Sequence, residues 1–227
     1  MFTIVDSGLE KLPWQVVNDK SVNPVPATSF KPEYINGALE IFIEAEQQYG
    51  GALAHCARPL PTPFGGNPLP YVGFDLDIFI PDEAAAYMRC LEIDHKISVF
   101  DAKGQTVNNI CDFSSQIETF NNGNIQIDNQ GMSWTDIGLS TGKLPVDTWF
   151  HWAARYNIDV PSKKFSVLYF VINGVQYKVP TTLQGLNWDP SNWGQAVEPS
   201  LQLDVTQPCA FSVKYNNIVT TYSEQPF

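Results

Sequence analysis

Polar and apolar residues alternate along much of this chain, most regularly over residues 90–97. A period of two is typical of a β-strand that buries one face and presents the other to water or to a ligand. The charged residues of this segment, Glu92, Asp94 and Lys96, all fall on one face. Because neighbouring charges are costly to bury unless they face water or a ligand, this face is the first place to look for a functional site.

Segments rich in β-forming residues recur along the chain and are separated by turn residues. They lie at 38–44, 71–79, 88–101, 111–120, 125–128, 149–159, 164–172, 175–179, 200–205 and 211–222. Asn173 and Gly174 predict a hairpin, since both residues tolerate positive φ, and residues 81–86 predict one turn of helix. No segment has long helical periodicity. The pattern therefore predicts an all-β, antiparallel two-sheet sandwich or jelly roll, and the lack of a linker or repeat favours a single domain over residues 1–227.

Composition supports a β-rich fold and limits the classes of partner. Hydrophobic residues make up 44% of the chain, aromatic residues 13% and charged residues 16%. The formal net charge of -11 disfavours nucleic acid and anionic membranes, which attract basic surfaces. A neutral polar ligand, a cation or an apolar metabolite remains compatible, and the acidity is also explained by solubility alone.

The four cysteines are Cys56, Cys90, Cys111 and Cys209. No two of them form a Cys-x-x-Cys pair, so a zinc site is disfavoured. Two disulfides are permitted, and Cys90 with Cys111 is the first pair to test because both lie on neighbouring predicted strands. The alternative is four reduced and mostly buried thiols.

The N-terminal residues show no targeting signal, and no stretch of about 18 apolar residues predicts a membrane span. As the sequence stands, we expect a cytoplasmic protein. If a leader was removed, we expect a secreted one.

The order of several motifs resembles the concanavalin A-like lectin/glucanase superfamily, over roughly residues 70–222. The motifs are LEID at 91–94, Cys111 with Gln116, SWTD at 133–136, LPVDTWFHW at 144–152, VINGV at 171–175, LQLD at 201–204 and FSVKYNNI at 211–218. The resemblance is to little-characterised microbial members, and it implies two antiparallel sheets, one curved around a ligand. It also implies that residues 2–5 lie beside residues 211–222. Members often carry calcium, but Asp75 with Asp77 and Asn187 with Asp189 are only fragments of such a site. We therefore predict no cofactor, with calcium as the alternative.

Two carboxyl groups match part of a glycosidase motif. Laminarinase-type members use Glu-x-Asp-x-Glu, in which the first Glu is the nucleophile and the last is the acid/base. Glu92 and Asp94 match the first two positions, but the last falls on Lys96, or on Ile97 if a bulge is allowed. Hydrolysis by that mechanism is therefore disfavoured. Glu118 is the best substitute acid; the alternative is that it points to solvent near a strand end.

A second candidate group lies at residues 149–156, where His151 and Arg155 share a face. His151 is a candidate general base, because the ordinary pKa of histidine is near neutrality. The alternative, which we favour, is a hydrogen-bonded strand residue. Arg155 is a candidate clamp for a ligand carboxylate. It would equally serve in a structural ion pair with Glu92 or Asp94.

Gln202 and Asp204 also alternate with apolar residues, and Gln116 shares a face with Glu118. One hollow lined by these groups would suit a polyhydroxylated ligand, which needs planar polar groups and an aromatic platform. Its predicted lining residues are Glu92, Asp94, Gln116, Glu118, Arg155, Gln202 and Asp204. Candidate platforms are Trp134, Trp188 and Trp193; the alternative is that a loop tryptophan caps the edge of the sandwich.

These observations favour a carbohydrate-binding, lectin-like protein that uses the concave sheet face. The alternative is an enzyme on the same scaffold. It would be a polysaccharide lyase or glycoside hydrolase with a non-standard acid/base, or an intracellular isomerase or cyclase of a small metabolite. A third hypothesis is a structural or partner-binding module with no small ligand.

Overall fold

Two antiparallel β-sheets enclose the hydrophobic core of the protein between them. The structure is a computed structural model. It describes residues 2–20, 23–61, 68–100, 106–119, 122–128, 134–159, 161–162, 164–179, 183–185 and 195–227.

Within these residues the chain forms seventeen strands, a 3-10 turn at Leu9–Lys11 and one short helix, α1, at Asp82–Ala85. The first nine strands are β1 (Thr3–Ser7), β2 (Gln15–Val17), β3 (Ser29–Ile35), β4 (Ala38–Ala45), β5 (Gly51–His55), β6 (Arg58–Pro59), β7 (Tyr71–Phe79), β8 (Met88–Phe100) and β9 (Thr106–Glu118). The others are β10 (Asn124–Asp128), β11 (Trp134–Ser140), β12 (Trp149–Asp159), β13 (Lys164–Ile172), β14 (Val175–Lys178), β15 (Leu183–Gly185), β16 (Gln195–Val205) and β17 (Cys209–Ser223).

The strands divide between two sheets. Sheet I has the order β14-β13-β12-β7-β17-β4-β3, with β1 also paired to β17 and β15 to β13. Sheet II has the order β11-β10-β9-β8-β16-β5-β2, with β6 also paired to β16. Neighbouring strands in both sheets are often far apart in sequence, as expected for a jelly-roll connection. The predicted fold class, an all-β antiparallel two-sheet sandwich, is confirmed.

Alternation along the strands explains which side chains form the core. On β12 the inner face carries Phe150, Trp152, Ala154 and Tyr156, all 2% exposed or less. On β8, Leu91, Ile93 and His95 point inward and are equally buried. The opposite face of each strand is thereby turned away from the core, and on β8 that face carries Glu92 and Asp94.

Three local predictions are also confirmed. Asn173 and Gly174 have φ of 49° and 80° and join β13 to β14. Helix α1 lies within the predicted turn, although Pro81 is its N-cap rather than its first residue. Strand β1 pairs with the end of β17, so the N-terminal and C-terminal segments lie side by side.

The candidate Cys90–Cys111 disulfide is not formed. Cys90 is a free thiol, as are Cys56 and Cys209. The strands that carry Cys90 and Cys111, β8 and β9, are indeed neighbours. However, Cys90 faces Glu118 whereas Cys111 pairs with Ile97, so the two cysteines lie near opposite ends of the strand pair.

None of the helices in the described part of the chain is long and apolar enough to span a membrane.

Candidate ligand-binding cleft

The outer face of sheet II, which points away from the core, carries rows of polar side chains. In one row Gln202 of β16 faces Glu92 of β8, Glu92 faces Gln116 of β9, and Gln116 faces Gln126 of β10. Directly paired residues project from the same face of a sheet, so four side chains from four strands lie next to one another. The Gln116 amide nitrogen donates a hydrogen bond to the Gln126 side-chain oxygen.

A second row runs parallel to the first. It contains Asp204 of β16, Cys90 of β8 and Glu118 of β9 in register. On the other side of the first row lie Ser200 and Asp94, which also face each other. Three adjacent rows of this face thus consist mainly of carboxyl, amide and hydroxyl groups.

A cavity of about 340 Å³ lies over these rows. Five of its lining residues were predicted from the sequence: Glu92, Gln116, Trp134, Gln202 and Asp204. The others come from two loops and the start of β8: Asn23, Pro24, Val25, Tyr49 and Arg89. We call this cavity the sheet II cleft.

Asp204 accepts hydrogen bonds from three side chains around the cleft. Its Oδ1 accepts from Asn23 Nδ2 at 2.8 Å and from Gln202 Nε2 at 3.2 Å. Its Oδ2 accepts from the Cys90 thiol at 3.4 Å. Burial raises the pKa of Asp204, and these donors only partly offset that effect. Asp204 therefore retains its proton to a higher pH than an ordinary aspartate.

Arg89 reaches the cleft because of an irregularity in the strand pairing. Asp204 pairs with Cys90 but Val205 pairs with Met88, so Arg89 is an extra residue in a β-bulge. Bulges commonly redirect a side chain in this way. The Arg89 guanidinium lies 4.6 Å from the centre of the Tyr49 ring, which is a cation–π distance.

Two predicted catalytic residues share the outer face but do not border the cavity. Asp94 is completely buried, and Glu118 is 9% exposed beside Cys90. The alternative interpretation of Glu118, in which it points to solvent, is therefore wrong. Both carboxyl groups lie beneath or beside the cleft rather than at its surface.

His151 and Arg155 lie on the other side of the molecule, so the prediction that Arg155 lines the same hollow as Glu92 is wrong, and His151 is on a different sheet from the other candidate catalytic residues. Both lie on the outer face of β12, in sheet I. His151 Nδ1 lies 2.9 Å from Asp77, and Arg155 Nη2 lies 2.7 Å from Asp75.

The predicted alternation of β12 is correct, but the strand belongs to the opposite sheet. A hydrogen bond with Asp75, together with one with Asp77, raises the pKa of His151 against the effect of burial. These contacts agree with the favoured interpretation of His151 as a hydrogen-bonded strand residue. Arg155 does form an ion pair, but with Asp75 rather than with Glu92 or Asp94.

The other predicted aromatic platforms, Trp188 and Trp193, lie outside the described residues. Trp134, at the start of β11, is 37% exposed and lines the cleft.

Several residues near the cleft had no signal in the sequence. Asn23 and Tyr49 come from loops without periodicity, and Arg89 precedes the alternating segment by one residue. A histidine–carboxylate pair also lies on this face, where His55 Nδ1 is 2.9 Å from Glu198 Oε1. The strand pattern at 200–205 stopped short of Glu198, although the alternation extends to it.

No group of three or more His, Cys, Asp or Glu side chains placed to hold a metal ion occurs among the described residues. The calcium fragment at Asp75 and Asp77 is instead paired with Arg155 and His151. The other fragment, Asn187 with Asp189, lies outside the described residues.

No protein-family model and no curated protein sequence matches this chain. Among solved structures, a double mutant of the alginate lyase Aly36B in complex with alginate tetrasaccharide is similar, with a TM-score of 0.52 and 12% identity over 89% of this chain and 88% of that chain. The alginate lyase vAL-1 from Chlorella virus is similar with a TM-score of 0.50 and 11% identity, over 86% of this chain and 89% of that chain. The lectin UEA-II in complex with galactose gives a TM-score of 0.45 and 8% identity, over 94% and 99% of the two chains. At such identities the likeness to the two lyases concerns the fold, and the chain therefore has the β-sandwich fold of these carbohydrate-active proteins.

Proposed function

We propose that the sheet II cleft binds carbohydrate in a lectin-like manner, and that the chain is a member of the concanavalin A-like superfamily. The observation that carries this proposal is the convergence of Glu92, Gln116 and Gln202 with Trp134 around one open cavity. Sugars present hydroxyl groups around a ring whose faces are largely apolar. Planar carboxylate and amide groups match the hydroxyls, and an aromatic side chain matches a ring face.

The geometry offers both kinds of contact on neighbouring surfaces. The polar row lies on the floor formed by β16, β8 and β9, whereas Trp134 and Tyr49 lie in the lining contributed by β11 and by a loop. Binding of alginate tetrasaccharide by a protein of the same fold is compatible with a glycan ligand here.

The test is a titration of the protein with a panel of oligosaccharides by isothermal calorimetry. We expect binding by the wild type and a loss of about tenfold or more in Trp134→Ala, which is about 1.4 kcal/mol or more. Gln202→Ala should weaken binding similarly. Trp149→Ala is the matched control, because Trp149 is 44% exposed on sheet I, away from the cleft. Equal binding by Trp134→Ala and Trp149→Ala, or no binding of any glycan, would contradict the proposal.

One observation favours a second candidate, an enzyme that cleaves glycans on the same scaffold. Asp204 and Glu92 line one cleft, and burial raises the pKa of Asp204, so a protonated acid can coexist with a second carboxyl group. Glycosidases use such a pair, with one carboxyl group as acid and the other as nucleophile or base.

Incubation with polysaccharides separates the two candidates. An enzyme releases reducing ends, and both Asp204→Asn and Glu92→Gln should abolish that release. A lectin binds the same glycans and leaves them intact.

A further inference from the structure

We propose that the sheet II cleft selects glycans without charged groups and excludes polyuronates and other anionic polysaccharides. This inference rests on the proposed carbohydrate-binding function and specifies its ligand class. It is carried by the signs of the charges around the cleft and by the direction of its hydrogen bonds.

The floor of the cleft is rich in carboxyl groups. Glu92 and Asp204 line the cavity and are 8% and 7% exposed, and Glu118 and Asp94 lie on the same face in the adjoining rows. A carboxyl group with so little contact with water is weakly screened when it is ionised, so its charge acts strongly on a ligand above it. A ligand carboxylate or sulfate would be repelled by ionised carboxyl groups, whereas a ligand hydroxyl group would donate a hydrogen bond to an oxygen of Glu92 or Asp204, the two that line the cavity.

Among the described lining residues, Arg89 is the one cation. Its guanidinium lies against the Tyr49 ring, so it is already held at one edge of the cleft. A polyuronate carries a carboxylate on every residue and would need several such cations along its length. The described residues of the cleft supply a single cation, Arg89, for a whole oligosaccharide.

The amide groups of the cleft direct donors into the protein. Asn23 and Gln202 donate to Asp204, and Gln116 donates to Gln126. Each of these amides therefore donates at least one N–H to a neighbouring side chain. Fewer amide N–H donors are therefore left for an anion, which can only accept hydrogen bonds.

The net charge of the chain acts in the same direction. A formal charge of -11 lowers the concentration of polyanions near the surface at low ionic strength. Salt screens the long-range repulsion by the net charge more than it screens the local repulsion by the carboxyl groups of the cleft. Binding measured in about 0.15 M salt therefore reports mainly the local effect.

The test compares hexasaccharides of equal length at that salt concentration. The uncharged probes are laminarihexaose, cellohexaose and mannohexaose, and the anionic probes are hexamannuronate, hexaguluronate and hexagalacturonate. We expect at least one uncharged hexasaccharide to bind at least tenfold more tightly than every anionic one. An anionic hexasaccharide that binds as tightly as the best uncharged one, with the binding lost in Trp134→Ala, would overturn the inference but leave the proposed function standing. If no hexasaccharide binds, the proposed function fails and the inference fails with it.

A charge variant tests the cause of the selectivity. Glu92→Gln keeps the shape of the side chain and removes its charge, so the preference for uncharged over anionic hexasaccharides should fall at least threefold. Glu44→Gln is the matched control, because Glu44 is an exposed residue of β4 in sheet I and its loss changes the net charge equally. An equal fall in both variants would show that net charge alone sets the preference, and it would overturn the assignment of selectivity to the cleft.

Discussion

Gly51 lies directly against the carboxylate of Asp204. A β-carbon at position 51 would come within 1.9 Å of Asp204 Oδ1 and within 2.5 Å of Asn23 Nδ2. The two residues are paired between β5 and β16, where the side chain of Asp204 leans over the glycine. The absence of a side chain at Gly51 is therefore what allows Asn23 to donate to Asp204 at 2.8 Å.

Gly51→Ala is expected to disrupt this corner of the cleft. The added methyl group must displace a buried and hydrogen-bonded carboxyl group, so we expect a loss of about 1–3 kcal/mol in the free energy of unfolding. Glycan binding should weaken as well, because Asp204 lines the cavity. Urea denaturation and calorimetric titration measure the two effects.

Gly73→Ala is the control for this prediction. Its β-carbon would lie 3.2 Å from the guanidinium of Arg155, the far end of a flexible side chain on sheet I. This variant should be less destabilised and should bind glycan normally. If Gly51→Ala loses no more stability than Gly73→Ala, the Asp204 side chain moves aside at little cost, and the prediction is contradicted.

Asp204 should also make stability depend on pH in an unusual direction for an aspartate. Burial raises its pKa in the folded state, so folding favours the protonated form. Below the unfolded-state pKa of about 4, both states hold the proton and the residue costs nothing by ionisation. As pH rises through the folded-state pKa, ionisation stabilises the unfolded state more than the folded one.

The stability of the wild type, relative to that of Asp204→Asn, should therefore fall as pH rises above about 4 and then level off. Urea denaturation of both proteins at closely spaced pH values between pH 4 and pH 8 gives this difference. Asp159→Asn provides a contrast, because hydrogen bonds from Ser162 lower the pKa of Asp159. A difference between wild type and Asp204→Asn that stays constant with pH would refute the prediction.

His151 should show the dependence expected of a histidine beside carboxylates. A hydrogen bond with Asp75, and another with Asp77, raise its pKa and favour the charged ring. This stabilisation is complete below the unfolded-state pKa of about 6.5 and is lost as pH rises through the folded-state value. Since the side chain is 43% exposed, we expect an effect of only about 0.2–1 kcal/mol.

His151→Gln should therefore be less stable than the wild type at pH 6, and the two should converge in mildly alkaline solution. Thermal denaturation of both proteins from pH 6 to mildly alkaline pH measures the difference in stability. An NMR titration of the His151 ring gives its pKa directly. A ring that titrates at or below the ordinary histidine pKa would contradict the ion-pair description. Glycan binding should be unchanged in His151→Gln, because the residue lies on sheet I.

Much of the cleft could be predicted because its residues lie on strands with strict alternation. Glu92 and Gln202 alternate with apolar neighbours, and Gln116 precedes the apolar Ile117, so their faces were fixed by the need to bury those neighbours. Their convergence then required only that β8, β9 and β16 be adjacent. The resemblance to a known superfamily supplied the fold but not this order of strands.

The errors arose where sheet membership or loop placement decides the outcome. His151 and Arg155 are on the face predicted for them, but β12 pairs with β7 in sheet I through contacts distant in sequence. Alternation specifies which side of a strand is buried, and it does not specify which sheet the strand joins. Asn23 and Tyr49 reach the cleft from loops, whose paths depend on tertiary packing rather than on local periodicity.

His95 should make the protein sensitive to acid, in the opposite sense to His151. Its ring lies between the sheets, stacked 5.1 Å from the Phe74 ring and hydrogen-bonded to the Tyr156 hydroxyl, with Thr220 Oγ1 at 3.3 Å. Burial lowers the pKa of His95 to about 3. The folded state therefore keeps the ring neutral, while the unfolded chain takes up a proton below about pH 6.5. This residue should remove up to about 1.4 kcal/mol of stability per pH unit below that value, until the folded-state pKa is reached.

His95→Leu loses the hydrogen bonds to Tyr156 and Thr220 and should be less stable than the wild type at pH 7. It should nevertheless lose less stability than the wild type between pH 6 and pH 4, as measured by urea denaturation. Parallel declines in the two proteins over that range would mean that other groups govern acid unfolding.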